Sequence, residues 1–507
     1  MQKPPVASCV SGSTWRPSIL PAAASFSNSS LIKASFLSHY GSTMPLLKVV
    51  SSQNPRQIAV EVLSQRHVGG DFTENLLERA LAKIKLSTLD RALCQELAYG
   101  VVRWQAALDR LIGRKTDGRE QKPILQNLLR LGLYQIFWLD RIPGHAAVHE
   151  TVELAKQNGF GTQAGFVNAV LRGYLREAGE TKKLLGELKA TQPALGWSHP
   201  EWLVARWQQR WGAEQTAQLL EWNNTPPKTF ARVNTLNIWE ERHAGVPNRT
   251  GKSGTAARRP SLDEFAAALL TRWREEGVEY DFVRRDWLEE NLIWELKSHP
   301  PLAKLPSVQE GFFYVQDPST VLAATELNPQ PGETVLDFCA APGGKTTFLA
   351  QRMNNQGRIV AQDVSEERLE LIRENCARLG VTCVKAVLPP TLDPRPSTGF
   401  DRILIDAPCS NTGVMRRRVD LRWRIQPREI SRLQRTQLDL LNQAAPKLKP
   451  GGVLVYSTCS LEPEENQDVV KQFLHAHKEF KLEFERELLP FVDKVDGAFV
   501  ARLKQLP

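Results

Sequence analysis

The sequence predicts an α/β protein in which an all-helical amino-terminal domain precedes a doubly wound, mostly parallel sheet. Apolar residues recur with a helical period between Asn54 and Glu180. After Gln316, β-rich runs alternate with helical runs, as in a parallel sheet with helices on both faces. A chain of 507 residues is too long for one hydrophobic core, so several domains are expected.

Composition and charge indicate which kinds of partner to expect and whether disulfides, metal sites or membrane spans are expected. The formal net charge of +9 suits a polyanionic partner such as nucleic acid, although a modest excess of this kind is also common on solvated surfaces. Seven widely spaced cysteines without a CxxC pair predict no disulfide framework and no metal site. The absence of a long apolar run predicts that the protein does not enter a membrane.

The first 50 residues form a separate segment. No acidic residue precedes Glu61, and basic residues lie among many serines, which is the composition of an organelle transit peptide. The alternative is a disordered or untranslated extension, with Met44 as the start, and the lack of a clear arginine-rich amphipathic helix favours it. We therefore expect residues 1–50 to be disordered and the protein to be cytoplasmic, or plastid or mitochondrial if this segment is a transit peptide.

Three further domains are expected. Residues 51–180 should form the helical domain, residues 181–320 an intermediate α+β domain, and residues 321–507 the parallel-sheet domain. The intermediate section holds nine of the thirteen tryptophans, and its helically spaced members suit a core or an interface, with stacking on RNA bases as the alternative. Residues 243–260 are polar, basic and rich in turn formers, so a flexible insertion is predicted there.

The predicted sheet places polar and thiol side chains at one edge. The expected strands are Thr334–Phe338, Arg358–Gln362, Phe400–Ile405 and Gly452–Tyr456, and the expected helices are Thr346–Arg352, Glu366–Leu379 and Glu429–Leu448. Ligands of such sheets bind at the carboxyl ends of the strands. Cys339, Asp363, Asp406 and Cys459 should therefore lie on one rim.

A turn of small residues follows the first of these strands. It consists of Cys339, Ala340, Ala341, Pro342, Gly343, Gly344 and Lys345. Small side chains let a ligand approach the backbone, and the helix that begins there offers free N–H groups. The turn is neither GxGxxG nor GxxxxGKT, so we expect a nucleotide-like ligand without a pyrophosphate. Asp363, at the end of the next strand, could accept both ribose hydroxyls. The alternative is that the glycines serve only packing.

Two of the cysteines differ from the rest. Cys94, Cys376 and Cys383 lie in apolar runs and are expected to be structural. Cys409 in DAPCSNTG and Cys459 in YSTCS instead follow strand ends beside polar groups. A thiolate in such a turn would be a nucleophile.

Three motifs carry a resemblance to a known family. DFCAAPGGKT, DAPCSNTGVMRR and YSTCSLEPEEN closely resemble the RNA 5-methylcytosine methyltransferases of the NOL1/NOP2/Sun type. The helical amino-terminal domain resembles the antitermination factor NusB. Together with the three motifs, this makes the chain similar to the Sun/Fmu branch of the family, which methylates small-subunit (16S) ribosomal RNA. The resemblance covers about Asn54 to Leu503. It implies a Rossmann-like class I methyltransferase domain, a NusB-like domain that grips RNA, and S-adenosylmethionine as cofactor.

The resemblance also implies roles for individual residues. S-adenosylmethionine would be held by the Cys339–Lys345 turn, Asp363 and Asp406. Cys459 would attack C6 of cytosine, and Asp406 would hydrogen-bond the N3/N4 edge of the base. Cys409 would help to remove the C5 proton or to release the enzyme, and Lys345 belongs with this catalytic group. DNA cytosine-5 methyltransferases lack a second cysteine of the TCS kind, so Cys459 favours RNA.

Arginines after the Cys409 turn complete the expected site. Arg416, Arg417 and Arg418 would steer phosphates, although a charged solvated surface explains part of this run. One departure from the family lies in Val384–Pro394, where the usual acidic contact to adenine is missing. This departure motivates one alternative, a non-catalytic RNA-binding ribosome-assembly factor. A second alternative keeps the chemistry and changes the substrate, as a transfer RNA cytosine-C5 methyltransferase. We expect a monomer.

Overall fold

The computed structural model describes residues 54–236, 260–389 and 399–507. The expectations for residues 1–50 and for nearly all of the insertion at residues 243–260 lie outside these ranges. Within them, no helix combines the length and the apolar character that crossing a bilayer requires.

Helices form the whole amino-terminal part. They are α1 (Pro55–Gly69), α2 (Thr73–Ala82), α3 (Thr88–Arg103), α4 (Gln105–Lys115), α5 (Pro123–Trp138), α6 (Gly144–Gln157), α7 (Ala164–Arg176), α8 (Ala178–Thr191), α9 (Pro193–Gly196) and α10 (Glu201–Asn224). Local sequence sets their starts: the Asn54 side chain accepts a hydrogen bond from the Arg56 N–H at the start of α1, and Ser87 caps α3 in the same way through Asp90. Apolar faces of α1 to α7 meet in one core, as their period predicts. Helices continue beyond residue 180, and α10 is interrupted at Gly212.

A small α+β unit follows. It contains β1 (Thr229–Val233), α11 (Leu262–Glu275), β2 (Glu279–Phe282), β3 (Ile293–Ser298), α12 (Pro306–Gln309) and β4 (Phe313–Val315). The four strands pair antiparallel in the order β2-β3-β1-β4. Every residue of β1 is buried because one sheet face packs on α11 and the other on the last domain. The expected α+β linking domain is confirmed, whereas its boundaries stay predictions.

The last domain is the expected sheet with helices on both faces. Its elements are α13 (Val321–Leu327), β5 (Thr334–Asp337), α14 (Gly344–Arg352), β6 (Arg358–Gln362), α15 (Glu366–Leu379), β7 (Val384–Val387), β8 (Phe400–Asp406), α16 (Leu421–Arg424), α17 (Pro427–Ala444), β9 (Leu448–Thr458), α18 (Gln467–Ala476), β10 (Phe480–Leu488), α19 (Pro490–Asp493) and β11 (Ala498–Gln505). The strand order is β10-β11-β9-β8-β5-β6-β7, and β5 to β9 run parallel. The Rossmann-like fold is confirmed, with an antiparallel β10–β11 extension that the sequence analysis did not predict.

Both faces of this sheet are covered, so its strands are apolar on both sides. Val335 packs into the core on one face, while its neighbour Leu336 packs into the core on the other. In β8, Leu404 belongs to the first core and Ile403 and Ile405 to the second. This burial explains why the strands read as continuous apolar runs rather than as alternating ones.

The tryptophans of α10 join the domains. Trp207 is 1% exposed, and its indole N–H donates to Glu462 Oε1 at 3.1 Å. Trp202 and Trp211 pack around the same core, which Met415 and Leu461 of the sheet domain complete. The expectation that these helically spaced tryptophans face an interface is confirmed. At 1% exposure Trp207 offers no face for base stacking.

Candidate active site

The carboxyl ends of four parallel strands form the expected rim. Cys339 follows β5, Asp363 follows β6, Asp406 ends β8 and Cys459 follows β9. Strands β8 and β9 pair in parallel with Asp406 opposite Ser457, so the turns that follow them lie side by side. The sheet thus brings together residues that are up to 120 positions apart, from Cys339 to Cys459.

The two cysteines of these turns are in direct contact. Their sulfur atoms are 3.2 Å apart, and the Cys459 N–H points at Cys409 Sγ at 3.4 Å. Cys459 Sγ is also 3.0 Å from Asn411 Oδ1. The hydrogen bond between the two sulfurs, together with burial, raises the pKa of Cys409 well above its ordinary value. The raised pKa keeps Cys409 a thiol, and either sulfur can donate in the contact between them.

A lysine and an aspartate lie beside the sulfur pair. Lys345 Nζ donates to Asp406 Oδ2 at 2.7 Å, and the Ser457 hydroxyl donates to Asp406 Oδ1 at 3.0 Å. Burial opposes the charge of Lys345, but the Asp406 carboxylate and the Cys459 sulfur outweigh it and raise the lysine pKa. Lys345 is therefore an ammonium group that faces both Asp406 and Cys459.

The glycine turn serves packing, and its part in ligand binding stays a prediction. Gly343 has φ +99°, a backbone conformation that favours glycine, and it directly precedes α14. A Cβ at Gly344 would lie 2.9 Å from Tyr314 Cε1, so this glycine is needed for packing. The turn nonetheless leaves the first N–H groups of α14 free of intrahelical partners.

An unpartnered acceptor lies under this turn. Asp337 is fully buried; Thr346 Oγ1 donates to its Oδ2 at 2.7 Å, whereas Oδ1 has no hydrogen-bond partner. Burial raises the pKa of Asp337 to about 7. Backbone donors beside the unpartnered Asp337 oxygen and the Asp406 carboxylate suit a nucleoside that carries positive charge and hydroxyl groups. The donor set therefore fits S-adenosylmethionine.

Asp363 is already fully engaged by its own chain. Arg368 Nε and the Val364 N–H donate to its Oδ1 at 2.6 and 2.7 Å, and the Ala341 N–H and Arg368 Nη2 donate to its Oδ2 at 2.9 and 3.1 Å. A carboxylate accepts about four hydrogen bonds. Contacts from Asp363 to ribose hydroxyls thus require Arg368 to yield at least one of its bonds, and that role stays a prediction.

The arginine triplet differs from the expectation. Arg416 is only 2% exposed; its Nε donates to Asp496 at 2.5 Å and its guanidinium stacks 4.0 Å from the Trp222 ring centre. Arg417 pairs with the same Asp496 and, at 2.8 Å, with Asp317. The prediction of direct phosphate contact is wrong for Arg416, because its charge is buried and paired within the protein. Arg417 and Arg418 are half-buried, and their contact with RNA stays a prediction.

Other expected features of the site are only partly described. Strand β7 ends at Val387, whose carbonyl accepts the Asp363 N–H at 3.3 Å. Residues 390–394, the last part of the stretch that lacks the acidic adenine contact, lie outside the described residues. Cys94 and Cys376 are buried as predicted, and burial raises both pKa values to about 12, while Cys383 is half-buried. Within the described ranges no group of three or more potential ligands could hold a metal ion.

Two residues of the site were not singled out from the sequence. Asn411, in DAPCSNTG, has φ +60° and donates to the Cys409 carbonyl at 2.7 Å while its own oxygen faces Cys459. Glu465, in YSTCSLEPEEN, is fully buried between the two cysteine turns. Their presence inside the quoted motifs was the available indication, but their contacts depend on how the two turns meet.

Family models match most of the described chain. The model for the 16S rRNA methyltransferase RsmB/F matches residues 324–504, the NusB family model matches residues 53–176, and the model for the ferredoxin-like domain of RsmF/B-like methyltransferases matches residues 199–244. A probable ribosomal RNA small subunit methyltransferase B of Synechocystis is 36% identical over 474 residues, which cover 89% of this chain and 99% of the relative. The chain belongs to the RsmB/F methyltransferase family.

Further similarities agree with this family. A probable ribosomal RNA small subunit methyltransferase B of Bacillus subtilis is 35% identical, over 89% of this chain and 98% of its own length. The crystal structure of a methyltransferase homologue from Pyrococcus horikoshii is 31% identical, with a TM-score of 0.50, and covers 62% of this chain and 97% of its own. As a member of the RsmB/F family, this chain is an S-adenosylmethionine-dependent RNA methyltransferase.

Proposed function

We propose that this RsmB/F protein methylates C5 of a cytosine in small-subunit (16S) ribosomal RNA through a covalent adduct on Cys459. The observation that carries the proposal is the sulfur pair, 3.2 Å apart, beside the Lys345–Asp406 ion pair. The names of the relatives, which specify small-subunit ribosomal RNA, support the substrate. The resemblance of the three motifs to RNA 5-methylcytosine methyltransferases supports the position on the base.

Cys459 is the nucleophile in this proposal. Its sulfur faces the Lys345 ammonium and lies 3.2 Å from the Cys409 sulfur. The reacting form of a cysteine nucleophile is the thiolate. The sulfur forms a bond to C6, and the electron pair of the C5–C6 double bond moves toward C5 and the ring. The target base must leave its stack to reach this rim.

In this proposal, Asp406 stabilises the cytosine ring as charge develops on it. Lys345 and Ser457 each hold one of its oxygens, so the carboxylate is fixed in orientation. It accepts a hydrogen bond from the N4 amino group and favours protonation of N3, a positioned acid–base role. When bound, S-adenosylmethionine supplies an electrophilic methyl group on its sulfonium sulfur.

Cys409 acts after methylation. Because its sulfur is 3.2 Å from Cys459 Sγ, it lies close to the C5–C6 bond of a base attached to Cys459. Loss of the C5 proton and departure of the Cys459 sulfur from C6 restore the aromatic ring. Cys409 helps to remove that proton or to release the enzyme.

A basic face of the helical domain supports RNA binding. Five exposed basic side chains occupy α4 and α7: Arg110, Arg114, Lys115, Arg172 and Arg176. The two helices are in contact, because the Tyr174 hydroxyl donates to the Leu111 carbonyl and Lys115 pairs with Glu177 at 2.7 Å. Such a face binds a phosphate backbone without reading sequence, and its affinity depends on salt.

Two alternatives to this proposal remain: one has a different RNA substrate, and the other belongs to a different functional class. A transfer RNA target keeps the same chemistry, so only the substrate distinguishes it. A non-catalytic assembly factor is disfavoured, since Cys409 contacts Cys459, Lys345 pairs with Asp406, and the Lys345 ammonium interacts electrostatically with Cys459. A cytoplasmic or organellar location and a monomeric state stay predictions.

The test uses RNA in which 5-fluorocytosine replaces cytosine, because fluorine at C5 blocks the release step. Purified protein and S-adenosylmethionine are mixed with such 16S ribosomal RNA fragments and, separately, with such transfer RNA. We expect a covalent adduct with ribosomal RNA that Cys459→Ala abolishes. An adduct with transfer RNA alone would change the substrate, and the absence of an adduct with any RNA would refute the proposed chemistry.

The division of labour between the cysteines has its own test. With unmodified RNA, Cys409→Ala should accumulate a covalent complex that is resistant to denaturing gels, because methylation proceeds but release fails. Cys376→Ala, at a buried cysteine outside the site, should behave like the wild type. Failure of Cys409→Ala to trap RNA would contradict the releasing role.

A further inference from the structure

We propose that Glu465 is a positioning residue that fixes the Cys409 and Cys459 turns against each other and so sets the geometry of the sulfur pair. Its relevance to catalysis rests on the proposed function. The geometric part concerns only where two turns lie, and it can be tested without RNA.

The Glu465 carboxylate bridges both turns. Its Oε1 accepts the Ser410 N–H at 2.8 Å, and its Oε2 accepts the Ser460 hydroxyl at 2.5 Å and also the Ser410 hydroxyl. Ser410 directly follows Cys409, and Ser460 directly follows Cys459. One carboxylate thus holds the residue next to each sulfur.

Further hydrogen bonds join the carboxylate, the two turns and the backbone of Glu465. Gln437, on α17, donates to Glu465 Oε1 at 3.1 Å and to the Pro408 carbonyl at 3.0 Å, so it adds a second link to the Cys409 turn. The Ser410 and Ser460 hydroxyl oxygens are 3.0 Å apart. The backbone of Glu465 is anchored as well, because the Tyr456 hydroxyl donates to its carbonyl at 2.6 Å.

The Glu465 bridge lies in the interior of the protein, where its hydrogen bonds cannot be replaced by bonds to water. Glu465 is 0% exposed, and burial raises its pKa while the hydrogen bonds from Ser410, Ser460 and Gln437 act in the opposite direction. Every one of these partners presents a donor, which suits an ionised carboxylate, since that group only accepts. Replacing the carboxylate leaves buried serine hydroxyls without their acceptor, which favours separation of the turns.

Movement of one turn relative to the other would change the distance between the Cys409 and Cys459 sulfur atoms. Two sulfurs at 3.2 Å, on separate strand-end turns, keep their distance only while the turns stay in register. A displacement of 1 Å between reacting groups costs roughly 10²-fold in rate. Glu465 therefore contributes to the reaction without touching the base or the methyl donor.

A matched control lies one residue away. Glu464 belongs to the same EPEEN sequence, but its side chain is 34% exposed and pairs with Arg206 rather than with a cysteine turn. Glu464→Gln and Glu465→Gln are thus the same chemical change at adjacent positions, and only the second alters the bridge.

The first measurement is the closing of a Cys409–Cys459 disulfide in the full chain. Diamide takes up the two electrons and two protons of the thiols, and peptide mass spectrometry follows the product. We expect Glu465→Gln and Glu465→Ala to slow this oxidation at least tenfold, with Glu464→Gln equal to the wild type. Cys94, which is fully buried in the helical core, should stay protected from alkylation in all variants, which separates local displacement from unfolding.

The second measurement concerns catalysis. We expect the Cys459 adduct with 5-fluorocytosine RNA to form roughly 10- to 100-fold more slowly in Glu465→Gln, as expected of a displaced nucleophile, while affinity for S-adenosylmethionine changes less than about twofold because the glycine turn is untouched. If Glu465→Ala does not fold, Ser410→Ala removes one hydroxyl contact of the same bridge and should slow both reactions by a smaller factor.

The outcomes separate this proposal from the proposed function. Wild-type rates of disulfide closure and adduct formation in Glu465→Gln would overturn the positioning role. Slower disulfide closure in Glu465→Gln, with no adduct on any RNA even in the wild type, would support the positioning role and refute the proposed chemistry.

Discussion

At the residue scale, the two cysteines are distinguished by their surroundings rather than by their motifs. Cys409 is 7% exposed, and its pKa is raised by its hydrogen bond to Cys459 and by burial. Cys459 is half-buried and faces the Lys345 ammonium. The two side chains, whose sulfurs are 3.2 Å apart, therefore differ in their exposure, and the Lys345 ammonium faces Cys459. Their different tasks stay a prediction.

Lys345 should be required for adduct formation. In Lys345→Met, the ammonium group that faces the Cys459 sulfur is lost, and Asp406 Oδ2 loses its donor. We expect the adduct rate at pH 7 to fall by roughly 10²-fold or more, because the reacting groups lose their fixed positions. The measurement is the rate of adduct formation with 5-fluorocytosine RNA, with Lys478→Met as an exposed control. A wild-type adduct rate in Lys345→Met would contradict the role.

Asp337 should make the cofactor-free protein less stable at high pH. Its folded-state pKa of about 7 lies above the unfolded value, so the folded state binds the proton more tightly and stability falls as pH rises from about 4 to 7. Asp337→Asn removes this loss. We expect the variant to exceed the wild type by about 1–4 kcal/mol at pH 8 and by little at pH 4, in urea unfolding without S-adenosylmethionine. The exposed control is Asp286→Asn. Equal stability at pH 8 would refute the prediction.

At the element scale, turns are held by groups from distant elements. The turn after Cys409 reaches the loop between β10 and β11 twice: Gly413 and Gly497 exchange backbone contacts, with the Gly497 N–H donating to the Gly413 carbonyl at 2.9 Å, and Arg416 pairs with Asp496. A Cβ at Gly413 would lie 2.7 Å from the Gly497 oxygen, so the close approach requires glycine. The unexpected antiparallel extension thus serves to hold the Cys409 turn.

Arg416 should therefore matter for stability rather than for RNA affinity. Burial alone would raise the pKa of Asp496, but Arg416 and Arg417 outweigh it and hold the pKa at about 2. Arg416→Met leaves this buried carboxylate with one partner, which costs about 3–5 kcal/mol. Urea unfolding at pH 7 measures the loss, and Arg428→Met, at an exposed position, is the control.

The Arg416–Asp496 pair also determines how the loss of stability in Arg416→Met depends on pH. Because the Asp496 pKa is depressed, its contribution is present above the unfolded value near 4 and disappears as pH falls toward 2. The difference between Arg416→Met and the wild type should therefore shrink in acid. A large loss of RNA affinity with unchanged stability would instead restore the phosphate-binding role.

At the scale of the whole molecule, the segment after the Cys409 turn enters the helical domain. The Asp420 carboxylate accepts the Thr73 N–H at 2.6 Å and pairs with Arg66. Arg422 is fully buried, donating to Asn224 Oδ1 at 2.7 Å and to the Asn223 carbonyl at 2.9 Å. The turn that carries Cys409 is thus continuous with the contact between the first and last domains.

The basic face on α4 and α7 should affect RNA binding without affecting the cofactor. Reversing two charges, in Arg110→Glu/Arg114→Glu, should weaken binding of a 16S ribosomal RNA fragment by roughly tenfold or more at 100 mM salt and flatten its salt dependence, because fewer counterions are released. Calorimetry with S-adenosylmethionine should give wild-type affinity. Arg274→Glu/Arg284→Glu makes the same charge change on the intermediate domain. Equal losses in both variants would indicate a general charge effect and refute a specific face.

The sequence alone determined the fold class, the glycine turn before α14 and the placement of Cys339, Asp363, Asp406 and Cys459 on one rim. These follow from local periodicity, from turn chemistry and from the rule that parallel strands share a carboxyl edge. Only the tertiary structure decided that Arg416 is buried against Asp496 and that Glu465, rather than Glu464, bridges the cysteine turns. The physical reason is that the partner of each of these charged side chains lies in a segment distant in sequence. The periodicity of apolar residues does not identify that partner.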